Sequence, residues 1–158
     1  LHARKAWLKG LSPKQNRNIP PLNYEFVYRI KHDFPHLTII INGGIQSLDA
    51  VVEHNKVVNG CMLGRQVYSN PYLLSQVDSK IYGLNTCPAS RFEVLNQYVN
   101  YVENEMISGT KLTLMTRHIL GLFQGQLGAK AWRRHISENA HKSGANAKIL
   151  LKAAEFIR

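Results

Sequence analysis

The chain has 158 residues and carries 20 Lys and Arg against 10 Asp and Glu, a formal net charge of +10. A basic excess of this size favours a polyanionic partner such as nucleic acid. The two cysteines form neither a disulfide framework nor a metal-ligand spacing, and no apolar run approaches the ~20 residues that span a bilayer, so we expect a cytoplasmic protein with no metal site and no membrane segment.

The positive charge is concentrated near the two ends of the chain. Residues 1–17 contain five basic residues and no acidic one, residues 18–87 contain five of each, and residues 88–158 contain ten basic and five acidic residues. Solvated surface charge is common, but this clustering favours two separate basic surfaces. The chain also begins as though a strand were ending, which predicts the C-terminal part of a longer protein.

The first part of the chain alternates strand and helix patterns. Residues 1–22 are expected to be the end of a strand followed by a long basic loop. Asn23 is the expected N-cap of a helix from Tyr24 to Phe34. The β-branched run from Leu37 to Ile41 predicts a strand covered on both faces, which Gly43 and Gly44 end.

A second unit of the same kind follows. Ser47 is the expected cap of a helix bearing Leu48, Val51 and Val52, and the apolar run from Val57 to Leu63 predicts another strand. This alternation indicates a parallel α/β fold. Two or three such strands cannot close a sheet, so we expect the remaining strands to lie outside this chain.

From Ile81 the pattern becomes purely helical. Residues 81–90 are expected to be a linker, and Ser90 with Glu93 predicts a capping box. Apolar residues then recur at helical spacing in four segments of a small bundle, the first of which Gly109 ends. These positions are Phe92, Leu95, Val99, Val102 and Met106; Leu112, Met115, Ile119 and Leu122; Ala129, Trp132 and Ile136; and Ile149, Leu150, Ala153 and Phe156.

Two glycine-ended strands predict a phosphate site. Asn42-Gly43-Gly44 and Gly64-Arg65 each follow a predicted strand, and glycine lets a phosphate approach backbone N–H groups. Such loops build the phosphate site after strands seven and eight of a (β/α)8 barrel. Tight turns need glycine even without a ligand, but the two turns together with Arg65 favour a phosphate. His2, at a comparable strand end, could add a ring N–H.

Several motifs are specific enough to suggest a family. They are HARKAWLKGLSPK at residues 2–14, NR at 16–17, PPL at 20–22, INGGI at 41–45, MLGR at 62–65, NPY at 70–72, GLF at 121–123 and GAKAWRRH at 128–135. Together they closely resemble the A subfamily of the tRNA-dihydrouridine synthases. The resemblance extends over essentially the whole chain.

The resemblance implies the C-terminal part of a TIM (β/α)8 barrel that binds FMN, residues 1–80, a linker, residues 81–90, and an all-α helical tRNA-binding domain, residues 91–158. It also implies that NADPH reduces the flavin, which then reduces a uridine in the D-loop of tRNA to 5,6-dihydrouridine. The implied FMN contacts are His2, Asn42, Gly43, Gly44, Gly64 and Arg65. The implied tRNA contacts are Lys14, Arg17, Lys130 and Arg133.

No catalytic residue is expected in this chain. By the resemblance, a cysteine upstream donates the proton, whereas Cys61 is expected to be a buried small apolar residue and Cys87 lies in the linker. We therefore expect the fragment to be inactive by itself. Two alternatives stay open, namely a non-catalytic tRNA-binding helical module and another FMN-dependent barrel oxidoreductase; the oligomeric state is open as well.

Overall fold

The computed structural model describes residues 1–158 and divides them into two compact units, residues 1–64 and residues 65–158. The first unit contains α1 (Pro13–Asn16), α2 (Tyr24–Asp33), β1 (Ile40–Asn42), α3 (Leu48–Asn55) and β2 (Gly60–Met62). The second contains α4 (Arg65–Ser69), a 3-10 helix (Pro71–Gln76), α5 (Val77–Lys80), α6 (Arg91–Ile107), α7 (Leu112–Thr116), α8 (Ala129–Asn139) and α9 (Lys148–Ala154). Residues 65–80 thus group with the helices, and the domain boundaries at 80 and 91 stay a prediction.

A small parallel sheet organises the first unit. Strands β1 and β2 pair in parallel, with Ile40 opposite Gly60 and Asn42 opposite Met62. The N-terminal residues add to the other edge of β1, since the Ala3 N–H donates to the Asn42 carbonyl at 2.7 Å. The predicted alternation of strand and helix in a parallel arrangement is confirmed.

Both strands are shorter than the apolar runs that predicted them, and β1 begins three residues later than expected. The prediction that β1 is covered on both faces is wrong for this chain. Ile41 is fully buried, whereas Ile40 is 43% exposed. Successive side chains of a strand point to opposite faces, and in this unit one face of β1 is packed while the other is open.

The predicted helix caps of this unit are confirmed. The Asn23 side-chain oxygen accepts a hydrogen bond from the Phe26 amide at 3.0 Å, and the Ser47 hydroxyl accepts one from the Ala50 amide at 3.2 Å. Each bond satisfies a backbone donor of the first helical turn. The two helices consequently start where the sequence predicts.

The basic segment between residues 5 and 22 is not a simple loop, because it contains α1. Ser12 and Gln15 form a capping box, and Pro13 occupies the first helical turn. This Ser-Pro-Lys-Gln pattern is a sequence signal for a helix start, so the prediction of a continuous loop was wrong at this point.

The second unit has one continuous hydrophobic core. It is formed by Leu95, Val99, Val102, Leu112, Met115, Ile119, Leu122, Phe123, Ala129, Trp132, Ile136, Ala140, Ala147, Leu150, Ala153 and Ala154. Helix α6 begins with the predicted Ser90–Glu93 capping box. It ends before Gly109, whose φ of +91° is the left-handed conformation that commonly follows a helix. No helix in either unit is long and apolar enough to cross a membrane.

Two of the predicted tail helices are shorter than their apolar patterns. Helix α7 ends at Thr116, so Ile119 and Leu122 lie in the following turns, although both are buried. Phe156 lies beyond α9 and is 44% exposed. The spacing of apolar residues therefore identified most core positions, but it was wrong for Phe156 and for Phe92, which is 48% exposed, and it overestimated the length of these helices.

Candidate cofactor site and basic surfaces

The structure brings together four of the six residues predicted to hold a cofactor. His2 forms a parallel bridge with Asn42, and a Cβ added to Gly43 would lie 3.1 Å from His2 Cε1. Gly44 follows directly. These residues lie where β1 ends, and the carboxyl ends of parallel strands are where α/β folds bind ligands.

The His2 ring is oriented by its own backbone turn. Its Nδ1 lies 2.9 Å from the Arg4 amide nitrogen and 3.1 Å from the Arg4 carbonyl oxygen. Nδ1 can accept from the amide or donate to the carbonyl, depending on the tautomer of the ring. Nε2 makes neither of these hydrogen bonds, so this side of the ring is left for a group outside the turn.

Gly43 and Gly44 are required by the fold itself. Their φ angles are +121° and +70°, and a Cβ on Gly44 would overlap Leu22 Cδ1. The Tyr24 hydroxyl donates a hydrogen bond to the Gly43 carbonyl at 2.8 Å, which fixes the turn. The amides of Gly44 and Ile45 donate no hydrogen bond within the unit, so they are available to an anion.

Gly64 differs from the other two glycines. Its φ is not positive, and a Cβ added there would meet no atom within 4 Å. Neither the backbone nor the packing of this chain requires glycine at this position, and the open space leaves room for a ligand. Gly64 lies two residues after Met62, which pairs with Asn42. The next residue, the exposed Arg65, begins α4.

The basic segment near the N-terminus is ordered by polar side chains. Asn16 accepts a hydrogen bond from the Trp7 amide at 2.8 Å and donates one to the Trp7 carbonyl at 2.9 Å. Arg4 donates to the carbonyls of Asn18 and Pro20 and is therefore part of the loop structure. Lys14 and Arg17 are both exposed.

Helix α8 presents the second predicted basic surface. Trp132 and Ile136 are buried, as the sequence predicts, whereas Lys130 is exposed and Arg133 is half-buried. An Arg133 Nη1–H donates to the Gln124 side-chain oxygen at 3.4 Å. The basic side chains thus leave the helix away from its core-facing stripe.

Neither cysteine lies in a reactive setting. Cys61 is half-buried in β2, and its Sγ lies 3.4 Å from Asn55 Oδ1 and 3.8 Å from the Val51 carbonyl oxygen, both on α3. Burial raises the pKa of the Cys61 thiol, so thiolate is scarce at neutral pH. Cys61 is less buried than expected, and Cys87 is exposed.

His54 is a buried polar residue that the sequence pattern does not indicate. Its Nδ1 lies 2.7 Å from the Tyr28 hydroxyl, and its ring packs edge-on against Tyr24 with centroids 4.6 Å apart. Burial lowers the pKa of His54, which favours the neutral ring. This histidine joins α2 to α3, and a single histidine within a polar helix gives no signal of that role.

Comparison with known proteins gives a family match over almost the whole chain. The family described as "Dihydrouridine synthase (Dus)" matches residues 1–157. The chain is 55% identical over 157 residues to the tRNA-dihydrouridine(20/20a) synthase of Vibrio cholerae serotype O1, covering 99% of this chain and 48% of that protein. The protein of the same name from Salmonella typhi is 52% identical over 157 residues, which cover 47% of its length. The one from Escherichia coli strain K12 is 51% identical over 157 residues, which cover 46% of its length.

The chain thus spans about half the length of the curated relatives that it matches. The family match extends across both compact units, from the bridge at His2 to the end of the helical segment. The chain belongs to the dihydrouridine synthase family, whose members are flavin-dependent TIM-barrel enzymes.

Proposed function

We propose that this chain is the C-terminal part of a cytoplasmic tRNA-dihydrouridine synthase that reduces uridine in the D-loop of tRNA. The observation that carries the proposal is the identity of 51–55% over 157 residues with the three relatives named above. In this proposal the parallel sheet of residues 1–64 is the last portion of a TIM barrel, and the core of the helical segment is that of a separate tRNA-binding domain.

The donors at the end of β1 suit the phosphate of FMN. When bound and reduced by NADPH, FMN would provide the hydride that is added to C6 of the uracil. The backbone amides of Gly44 and Ile45 and, in the tautomer protonated at Nε2, the His2 ring would donate to phosphate oxygens, and the Arg65 guanidinium matches two such oxygens at once. The complete proposed set is His2, Asn42, Gly43, Gly44, Gly64 and Arg65.

The two basic surfaces suit the backbone of tRNA. Lys14 and Arg17 project from α1 and its C-terminal end, and Lys130 and Arg133 project from α8. Contacts to phosphates position a nucleic acid without reading its sequence. In this proposal the four side chains fix the tRNA relative to the barrel, and the choice of uridine depends on the rest of the protein.

The proton donor of the reaction is expected in the part of the enzyme outside this chain. Cys61 cannot take that role, because its thiol faces α3 and bonds to Asn55. Cys87 lies in an irregular exposed segment. The chain by itself would therefore bind its substrate but would not reduce it.

A chimaera tests the proposed function. We expect that this chain, joined to the N-terminal half of the Vibrio cholerae relative, retains FMN, which reversed-phase chromatography detects after denaturation, and forms dihydrouridine in unmodified tRNA. Arg65→Ala should weaken FMN binding about 10- to 100-fold, because a hydrogen bond to a charged group contributes roughly 1.5–3 kcal/mol. Arg29→Ala, which removes an exposed arginine from α2, is the control.

The outcomes of this experiment separate the two parts of the proposal. A chimaera that folds but carries no flavin would contradict the cofactor. A flavin-containing chimaera that leaves uridine unchanged in the presence of NADPH would contradict the substrate or the reductant. Equal FMN loss in Arg65→Ala and Arg29→Ala would remove Arg65 from the site.

The continuous core of the helical segment favours a second candidate, a tRNA-binding module that acts without catalysis. We expect the chain to bind tRNA, and Lys130→Ala with Arg133→Ala to lower the slope of log affinity against log salt by about two. The charge-matched control is Lys111→Ala with Arg158→Ala, both exposed. A shift that is the same in both double variants would contradict the assignment of α8.

A further inference from the structure

A concave pocket lies where the C-terminal half of α8 meets α9, outside the residues discussed so far. Its volume is about 300 Å³, and it is open to solvent. His135 and Asn139 of α8 form one side, Lys148 and Lys152 of α9 form another, and Lys142 lies on the connecting turn. The pocket therefore collects three lysines, one from the connecting turn and two from α9.

The charge of this pocket is not neutralised by the protein. No acidic side chain lines it, and the salt bridges of Asp33 with His32 and of Glu53 with Lys56 involve other residues. Three ammonium groups around one concavity repel each other. A negatively charged ligand would relieve this repulsion.

Hydrogen bonds order the wall of the pocket. The Asn139 side-chain oxygen accepts a hydrogen bond from Lys142 Nζ at 2.8 Å, and the Asn139 amide group donates to the His135 carbonyl at 2.7 Å. An ammonium group has three donors, so Lys142 keeps two for a ligand. The turn is held further by Asn146, whose side-chain oxygen accepts from the Lys148 amide at 3.1 Å.

The floor beneath the lysines is part of the hydrophobic core. Ile136, Ala147 and Leu150 are almost completely buried, and they anchor α8, the turn and α9 to each other. Because this packing fixes the backbone, the three lysine side chains start from defined positions. A ligand then has to order lysine side chains but not the backbone.

We propose that this pocket binds a phosphate group of an RNA backbone. Ammonium groups act on phosphate as compact, rotatable point charges, and the open mouth admits a chain that continues on both sides. The pocket shares α8 with Lys130 and Arg133, so the basic surface extends along this helix. The identity of the ligand as tRNA rests on the proposed function, whereas the preference for phosphate rests on the pocket alone.

The first test compares variants of the full chain in binding to a fluorescently labelled, unmodified tRNA transcript at several salt concentrations. Lys148→Ala with Lys152→Ala should lower the slope of log affinity against log salt by about one, because about one counterion is released for each phosphate that is neutralised and the pocket holds one phosphate. Lys148→Arg with Lys152→Arg keeps the charge and should keep the slope. The control Lys111→Ala with Arg158→Ala removes the same charge elsewhere and should leave the slope unchanged.

The second test uses inorganic phosphate and does not depend on tRNA. In amide-resolved NMR of the chain, phosphate should shift the signals of Gly144, Asn146 and the Asn139 side chain, and the Lys148→Ala, Lys152→Ala variant should lose these shifts. Failure of the parent chain to bind tRNA, with the phosphate shifts present, contradicts the proposed function and supports the pocket. An unchanged salt slope in the alanine variant, or phosphate shifts spread evenly over all lysine-rich surfaces, overturns the pocket.

Discussion

Replacing Gly128 with alanine is expected to cost about 2–5 kcal/mol of stability. Gly128 precedes α8 with a φ of +91°, and a left-handed conformation costs a residue with a Cβ about 1–2 kcal/mol. The added Cβ would also overlap the carbonyl oxygen of Phe156. That neighbour is backbone and cannot rotate away, so a further cost of about 1–3 kcal/mol for overpacking follows.

Gly125 provides the matched control for Gly128. Its φ is +81°, but a Cβ added there would meet no atom within 4 Å. Gly125→Ala should therefore lose only the conformational part, about 1–2 kcal/mol. Urea unfolding of the chain, followed by circular dichroism, gives both values. Equal losses in the two variants would contradict the contact between Gly128 and the C-terminal segment.

Trp132→Ala is expected to destabilise the helical segment by about 3–5 kcal/mol, the range for removing a buried large aromatic side chain. Trp132 is fully buried, and its ring packs edge-on against Phe123 with centroids 4.9 Å apart. Its Nε1–H donates a hydrogen bond to the Leu120 carbonyl at 3.2 Å. The substitution therefore removes packing, an aromatic contact and the partner of a carbonyl.

Trp132→Phe separates these contributions. A phenyl ring keeps most of the contact with Phe123 but leaves the Leu120 carbonyl without its donor, and a buried group that loses its partner costs about 1–3 kcal/mol. Both variants lose this hydrogen bond, but phenylalanine loses only part of the ring volume whereas alanine loses all of it. Phenylalanine should therefore be less destabilising than alanine. Thermal unfolding of both variants checks the order. An alanine variant as stable as the phenylalanine variant would show that the ring contact is unimportant.

The helical part of the structure could be predicted because its signals are local. The capping box at Ser90 and Glu93 and the left-handed Gly109 mark the two ends of α6, and apolar spacing identified Trp132 and Ile136 as core residues. The pattern failed at Ile119 and Leu122, which are buried in the turns after α7, a segment that also contains Gly121 and Gly125. Each glycine in this segment would cost a helix about 0.5–1 kcal/mol relative to alanine. Ile119 and Leu122 are therefore buried by packing without being part of a helix.

The sheet was predicted less accurately because a strand exists only where a neighbour pairs with it. The run from Leu37 to Ile41 is apolar throughout, but the ladder extends only from Ile40 to Asn42. The candidate cofactor site likewise combines residues that local sequence indicates with a contact that depends on distant pairing. Gly43 and Gly44 could be identified from the sequence, whereas the contact of His2 with Asn42 depends on pairing between residues 40 positions apart. The pocket of Lys142, Lys148 and Lys152 required the packing of α8 on α9.

The bonds between Asn16 and Trp7 have a consequence for the thermodynamics of RNA binding. They order the segment that carries Lys14 and Arg17 within the free chain. Fixing the backbone of one residue costs about 1–2 kcal/mol in conformational entropy. In this segment that entropy is lost when the chain folds and not when RNA binds. An RNA that contacts this segment, as proposed, would meet an ordered surface, so Asn16 would contribute to affinity without touching a phosphate.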